Sequence, residues 1–288
     1  MDRMHAPRWT KAMTKQERAS EPIHVSKLSI ALGALGFGLL SLAQSVLAWA
    51  PTGTRFEWVL MVLGSLSLAG AVLHHVDHHV RRFGVLAVAL INVGLVGAAL
   101  VYLPYVFNLS LRGTETGIRY TYSTWGVVWL IGSAAVFAVL ARKEIRLEHD
   151  DKTSETEIHS SFFQLTTLAV GMLIYGIGFL LLGDPVARDS RMVGALSVVG
   201  PLLIALAVIA HIEHLMLRIG KVAVFLTVAG VSLWGMKNLF RPLTGWFDNE
   251  ALNDFFVFGL QGIFYAMGAL ACVFVLFHKQ AWAKTQGQ

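Results

Sequence analysis

One cysteine, Cys272, is present in 288 residues. A single cysteine excludes an intrachain disulfide and any cysteine-based metal knuckle. It lies inside an apolar run, where a thiol behaves as a small inert hydrophobe. Charge is scarce as well. Asp, Glu, Lys and Arg make up 14% of the chain, against roughly 25% in soluble domains, which excludes an ordinary water-soluble domain. No motif supports a nucleophilic hydrolase, a phosphate loop or a dinucleotide site. Gly33, Gly36 and Gly38 fall inside an apolar run and suit close helix packing in lipid instead. No acidic residue lies at the centre of any apolar run, which argues against an ion pump built on a midplane carboxylate.

What the chain does have is apolar length. It is 55% hydrophobic, with a mean hydropathy of +0.61. Apolar runs fall at 28–49, 57–80, 84–107, 124–142, 162–183, 191–215, 220–240 and 254–277. Each approaches the roughly 20 residues that a helix rising 1.5 Å per residue needs to cross a bilayer. The expected fold is all-α, a polytopic bundle of eight transmembrane helices. Residues 1–26 are polar and basic and read as a solvated cytoplasmic tail. The run 28–49 is too long for a signal h-region of about 7–15 residues and reads as the first membrane helix.

Basic residues give an orientation. With the N-terminus inside, the outer segments hold only Arg55, Arg112, Arg119, Arg188, Arg191, Lys237 and Arg241 of the 23 Lys and Arg. The remainder fall inside, so both termini are expected in the cytoplasm of a plasma or inner membrane. The net charge of +5 therefore belongs to topology and gives no reason to expect nucleic acid. The charged segment 143–161 is read as a cytoplasmic linker.

The two sides of that linker resemble each other. A gapless shift of 136 residues lays His75, His78, Arg82, Gly84, Ala87 and Gly94 on His211, His214, Arg218, Gly220, Ala223 and Gly230. Apolar composition alone would not align two His, an Arg and several Gly without a gap. The expected organisation is a four-helix repeat at 27–142, the linker 143–161, a second repeat at 162–279 and a cytoplasmic tail at 280–288. Four spans return the chain to its starting side, so the repeats should share one orientation, related by an axis along the membrane normal.

The repeated string is the strongest functional signal. His75-Val76-Asp77-His78 recurs as His211-Ile212-Glu213-His214. On a continuous helix His75, His78 and Arg82 form one stripe, because spacings of three, four and seven share a face. Counted back from Gly84, His78 lies about 9 Å and His75 about 13 Å deep. If helices 2 and 6 meet, His75, His78, His211 and His214 converge as candidate metal ligands, with Asp77, Glu213, Arg82 and Arg218 around them. Imidazole suits a transition-metal ion. The bland alternative is that these groups reach the headgroups and set topology. His74 and His79 have no counterparts in the second half.

Other polar positions carry less. Gln44, Asn92, Thr166, Thr167, Tyr175, Thr227 and Gln261 are read as interhelical hydrogen bonders. Tyr102, Tyr105, Tyr120, Tyr122, Trp125, Trp234 and Trp246 are read as an outer aromatic belt, with a ligand pocket there as the lesser alternative. Three functional classes follow. The favoured one is a membrane protein that binds or moves a metal ion or small solute at its cytoplasmic end. The second is a redox subunit carrying haem b, weakened because the duplicated histidines sit toward one face only. The third is an accessory or scaffold subunit. The balance leans against an enzyme. Partners are the lipid bilayer and a membrane protein or second copy of the chain.

Overall fold

The computed structural model describes residues 26–49, 54–111, 114–149, 162–188, 190–210, 212, 216, 219–244 and 258–285. The N-terminal tail to residue 25, the linker from 150 to 161 and the last three residues lie outside them. Among the described residues the secondary structure is helical throughout, with no strand. The helices are α1 (Lys27–Trp49), α2 (Arg55–Leu73), α3 (Val76–Phe83), α4 (Val85–Phe107), α5 (Glu115–His149), α6 (Phe162–Gly183), α7 (Arg191–Ile209), α8 (Lys221–Thr244) and α9 (Leu260–Thr285). A short 3-10 turn, Leu109–Leu111, follows α4.

Seven of these are long and apolar enough to cross a membrane: α1, α2, α4, α6, α7, the Glu115–Arg142 part of α5 and the Leu260–Phe277 part of α9. They mark an integral membrane protein. The apolar stretch of α8, Lys221–Gly235, is shorter.

Helix starts follow from local chemistry. Thr54 caps α2: its hydroxyl accepts from Phe56 N–H at 3.2 Å, and its own N–H donates to Glu57 Oε2 at 2.7 Å. Ser190 caps α7 by accepting from Val193 N–H. The Thr114 hydroxyl accepts from Gly117 N–H at 3.1 Å, which starts α5 well before the apolar run at 124. Each cap satisfies a donor that a helix N-terminus leaves unpaired. At its other end α5 runs past Arg142 to His149, into the expected linker. Lys, Glu, Arg and Leu there are all strong helix formers, so loss of hydropathy does not end the helix.

The helices pack in chain order. α1 packs on α2, α2 on α4, α4 on α5, α5 on α6, α6 on α7, α7 on α8 and α8 on α9; α9 then packs back on α1. Eight helices close a ring. Glycine crossings bring the walls together. Gly36 of α1 faces Gly64 of α2, Gly126 of α5 faces Gly176 of α6, and Gly171 of α6 faces Gly200 of α7. Ser41 donates to the Gly262 carbonyl at 2.8 Å, across α1 and α9, and Ser133 to that of Ala169 at 2.8 Å, across α5 and α6. Small side chains and such bonds are what hold helices together where lipid removes the hydrophobic drive.

The face at which α1 begins is closed by two small apolar clusters. One gathers Phe83, Ala87, Val139 and Leu165. The other gathers Ile219, Ala223, Val275 and Ile30. The 136-residue shift carries Phe83, Ala87 and Val139 onto Ile219, Ala223 and Val275.

Candidate functional site

The histidine string does not continue α2. That helix ends at Leu73, and a two-residue break at His74 and His75 precedes the separate helix α3. The His75 N–H reaches the Val72 carbonyl at 3.3 Å, tightening the last turn, and His79 N–H bonds back to the His75 carbonyl at 3.1 Å to start the next helix. The expected span 57–80 is therefore two helices, because hydropathy collapses after Leu73. In α3 the residues Val76, Val80 and Phe83 fall on one side, with Asp77 and Arg81 on another. Gly84 ends it at φ +94, the left-handed region that glycine tolerates, and Gly220 repeats this at φ +86.

Arg142 of α5 fixes the α3–α4 corner. Its Nη1 donates to the Val80 carbonyl at 2.9 Å and its Nη2 to the Arg81 carbonyl at 3.0 Å, satisfying two carbonyls at the end of α3. Rings meet along the string: His75 stands edge-on to His79 at 5.7 Å, His79 stacks on Phe83 at 6.1 Å, and the Arg82 guanidinium lies 5.5 Å from the Phe83 ring. Among the described residues the one ion pair is Arg188 with Glu115 at 2.8 Å, so Asp77 and Arg81 do not close the pair their spacing offers.

The expected metal ligands are only partly placed. His75 and Asp77 are described, but the His78 side chain and His211, Glu213, His214 and Arg218 lie outside the described residues. Among the described residues no three His, Cys, Asp or Glu side chains gather as a metal group. The helices that lead into the two strings, α2 and α7, are four steps apart in the ring of eight and share no packed interface.

The ring instead encloses a central cavity of about 1020 Å³, lined from α1, α2, α4, α5, α6, α7, α8 and α9. Its wall is aromatic. Trp58 stacks on Tyr105 at 4.7 Å, and Trp129 stacks on Trp234 at 5.6 Å. Tyr175 stands edge-on to Trp234 at 5.2 Å, and Phe264 leans on Tyr265 at 5.0 Å. None of the described residues lining it carries a formal charge.

This corrects the reading of the aromatic residues. Tyr102, Tyr105, Tyr122, Trp125 and Trp234 line the cavity. Tyr120 is exposed and donates to the Leu100 carbonyl at 2.7 Å, and Trp246 lies outside the described residues. Sequence cannot separate the two placements, since an amphipathic ring suits both a headgroup belt and a pocket wall. Ring closure decides it by creating an inner surface.

The polar residues differ as well. Thr167, Thr227 and Asn92 bond carbonyls of their own helices, at Phe163, Ala223 and Val88. Gln44 of α1 is only 4% exposed and lines the cavity. Its Nε2 points at the Met61 sulfur at 4.0 Å, while its Oε1 has no partner. Trp58 of α2, 9% exposed, also lines the cavity, and its Nε1 has no partner either. Buried polar atoms without partners are uncommon and call for an explanation. The buried Glu57, 1% exposed, was also missed. Its signal was present in the sequence, since Thr54-x-x-Glu57 before an apolar run is a capping-box pattern.

No family model, curated protein or solved structure matches the chain.

Proposed function

We propose that the chain is a multi-pass membrane protein that binds a small, largely apolar solute inside its helix ring. The observation that carries this is the uncharged aromatic cavity of about 1020 Å³ on the ring axis. Ligand pockets typically run about 300–1,000 Å³ and are lined mainly by apolar and aromatic side chains. Among the described residues the lining holds no carboxylate, histidine, lysine, arginine or cysteine, which suits binding or passage of a solute better than catalysis.

The frame of this reading is eight crossings in two tandem four-helix repeats, 27–142 and 162–279, of like orientation. Geometry supports the duplication. α2 and α7 are both 19 residues long and start and stop at positions related by the same 136-residue shift. Both end in a residue of near-identical conformation, His74 and Ala210, and both repeats turn on a left-handed glycine. On this frame α8 is the eighth crossing, and both termini are cytoplasmic. The metal reading of His75, His78, His211 and His214 rests on their repetition in sequence, and it requires two strings on opposite walls of the ring to meet.

The test is saturable binding. Purified full-length protein in detergent should bind naphthalene, a neutral apolar probe, at one site per chain above the partition into empty micelles. Gly94 lines the cavity, and a Cβ there would meet only ordinary contacts, Ile131 at 3.7 Å and Val128 at 3.9 Å. Gly94→Leu should therefore fold, narrow the space and weaken the saturable binding. Uptake that never exceeds micelle partition would sink the proposal.

A further inference from the structure

The cavity is long, and its two ends differ in chemistry. Its lining runs on α4 from Leu90 to Tyr105 and on α5 from Ile118 to Val136. At 1.5 Å per residue these stretches span about 22 Å and about 27 Å, most of the roughly 30 Å hydrocarbon thickness of a bilayer. At the face where α1 ends the lining reaches the terminal turns of helices: Trp58 lies in the first turn of α2, Tyr105 in the last of α4 and Ile118 in the first of α5. At the face where α1 begins it stops short, at Leu90 and Val136, and the next turns carry Ala87 and Val139 of a closing cluster.

The polar side chains among the lining residues are sorted along this axis. Gln44, Tyr102, Tyr105, Thr121, Gln261 and Tyr265 all lie toward the face where α1 ends. They are uncharged and bond to one another, Tyr105 to Thr121 and Tyr265 to Gln261 at 3.1 Å. Ser65, halfway along α2, marks the boundary. Toward the face where α1 begins, Leu90, Leu95, Ala135, Val136, Met172 and Ile204 bring no side-chain oxygen or N–H to the lining. The lining residues that recur after the 136-residue shift, Leu90, Gly94, Gly132 and Ala135, all belong to this aliphatic end. The polar end is built where the halves differ.

Each solute class meets such a gradient differently. An anion or an ammonium group finds no opposite charge among the described lining residues. A molecule with polar groups at both ends must bury one of them among aliphatic side chains without a partner, which is costly. A molecule with one uncharged polar end and an aliphatic body matches both ends in a single orientation. Resting on the reading that the cavity binds a solute, we infer that the solute is an elongated, neutral, single-headed amphiphile. Its polar end points to the face where α1 ends, and its aliphatic body lies toward the closed face.

Photolabelling tests class and orientation together, on the unaltered full-length protein in nanodiscs. The probes are 3-azioctanol and 7-azioctanol, isomers that carry a photoreactive diazirine near the hydroxyl and near the tail. Labelled residues are identified by mass spectrometry with and without excess 1-octanol, and naphthalene binding is measured beside them. The 3-isomer should label the end that holds Tyr102, Tyr105 and Tyr265, the 7-isomer the end that holds Leu90, Val136 and Met172, and excess 1-octanol should remove both. Identical sites for the two isomers, or the reverse order, overturn the inference. So does saturable naphthalene binding without any cavity labelling that 1-octanol removes, which leaves the solute-binding reading standing. If naphthalene does not saturate and no cavity residue is labelled, both readings fall.

Discussion

Helix crossings without side chains should tolerate no added methyl group, and the α1–α2 crossing gives the cleanest case. A Cβ on Gly64 would sit 2.8 Å from Leu40 Cγ and 2.9 Å from the Gly36 carbonyl oxygen. The oxygen belongs to a helix backbone and cannot turn aside, so α1 and α2 must separate. Overpacking of this kind costs about 1–3 kcal/mol. Alanine also gains about 0.8–1 kcal/mol of helix propensity over glycine, which would mask part of the loss. Gly38→Ala supplies the correction. It lies on α1 with nothing within 4 Å of its Cβ, so it carries the propensity gain without the clash. The difference between Gly64→Ala and Gly38→Ala isolates the crossing and should be about 1–3 kcal/mol. Gly200→Ala, whose Cβ would meet the Tyr175 Cβ at 2.6 Å and the Gly171 carbonyl at 2.9 Å, should match Gly64→Ala. Equilibrium unfolding in mixed micelles, followed by tryptophan emission, measures all three. If Gly64→Ala were as stable as Gly38→Ala, the close crossing would be wrong and with it the helix positions around the cavity.

Arg142→Ala should leave the Val80 carbonyl with the Gly84 N–H alone, remove the Arg142 bond to the Arg81 carbonyl, and cost about 1–2 kcal/mol, less than a buried charged bond because one of the two is exposed; an unfolding midpoint equal to wild type would refute it. Thr54→Ala should cost about 1 kcal/mol, and Thr54→Ser should restore most of it by keeping the capping hydroxyl; equal loss in both would point away from the cap. Ala87→Leu and Ala223→Leu should destabilise alike, each by about 1–3 kcal/mol, because each is 1% exposed in a matching cluster; unfolding curves of the pair would separate if the halves are built differently. The double variant His75→Ala, His211→Ala should match the wild type in metal content, visible absorbance and naphthalene affinity; a Soret band or stoichiometric metal lost from the double variant would return function to the histidine strings.

Much of the frame was legible because hydropathy and punctuation are local. The runs at 28–49, 84–107 and 162–183 reappear within a residue or two as α1, α4 and α6. The turns at Gly84 and Gly220 fall where glycine was expected. Two things were not legible. The break at His74 and His75 depends on where polar side chains stop tolerating lipid, and a run of mixed Val and His does not announce that point. The cavity depends on which face each helix turns inward, and the helices carry little sidedness to read. Exposed Leu35, Leu42 and Leu63 alternate with buried Leu40, Leu47 and Leu60 on the same helices, since lipid and core are equally apolar. Gln44 does reach a second helix as expected, through Nε2 to the Met61 sulfur, but its place in the cavity wall could not be read from the sequence for that reason.

The two halves differ in a way that bears on function. Where helices touch each other, the repeat is kept. Gly64 and Gly200 both sit at glycine crossings, Ala87 and Ala223 both lie in closing clusters, and Gly84 and Gly220 both take a positive φ. Among residues that line the cavity it is kept at some positions and not at others: Leu90, Gly94, Gly132 and Ala135 recur as Leu226, Gly230, Gly268 and Ala271, whereas others change. Gln44 stands against Leu180, Trp58 against Gly194, Tyr265 against Trp129, Met61 against Ser197 and Trp234 against Ala98. On the reading that the cavity binds a solute, these differences give a solute unlike surfaces on the two sides, so a symmetric occupant would not match both.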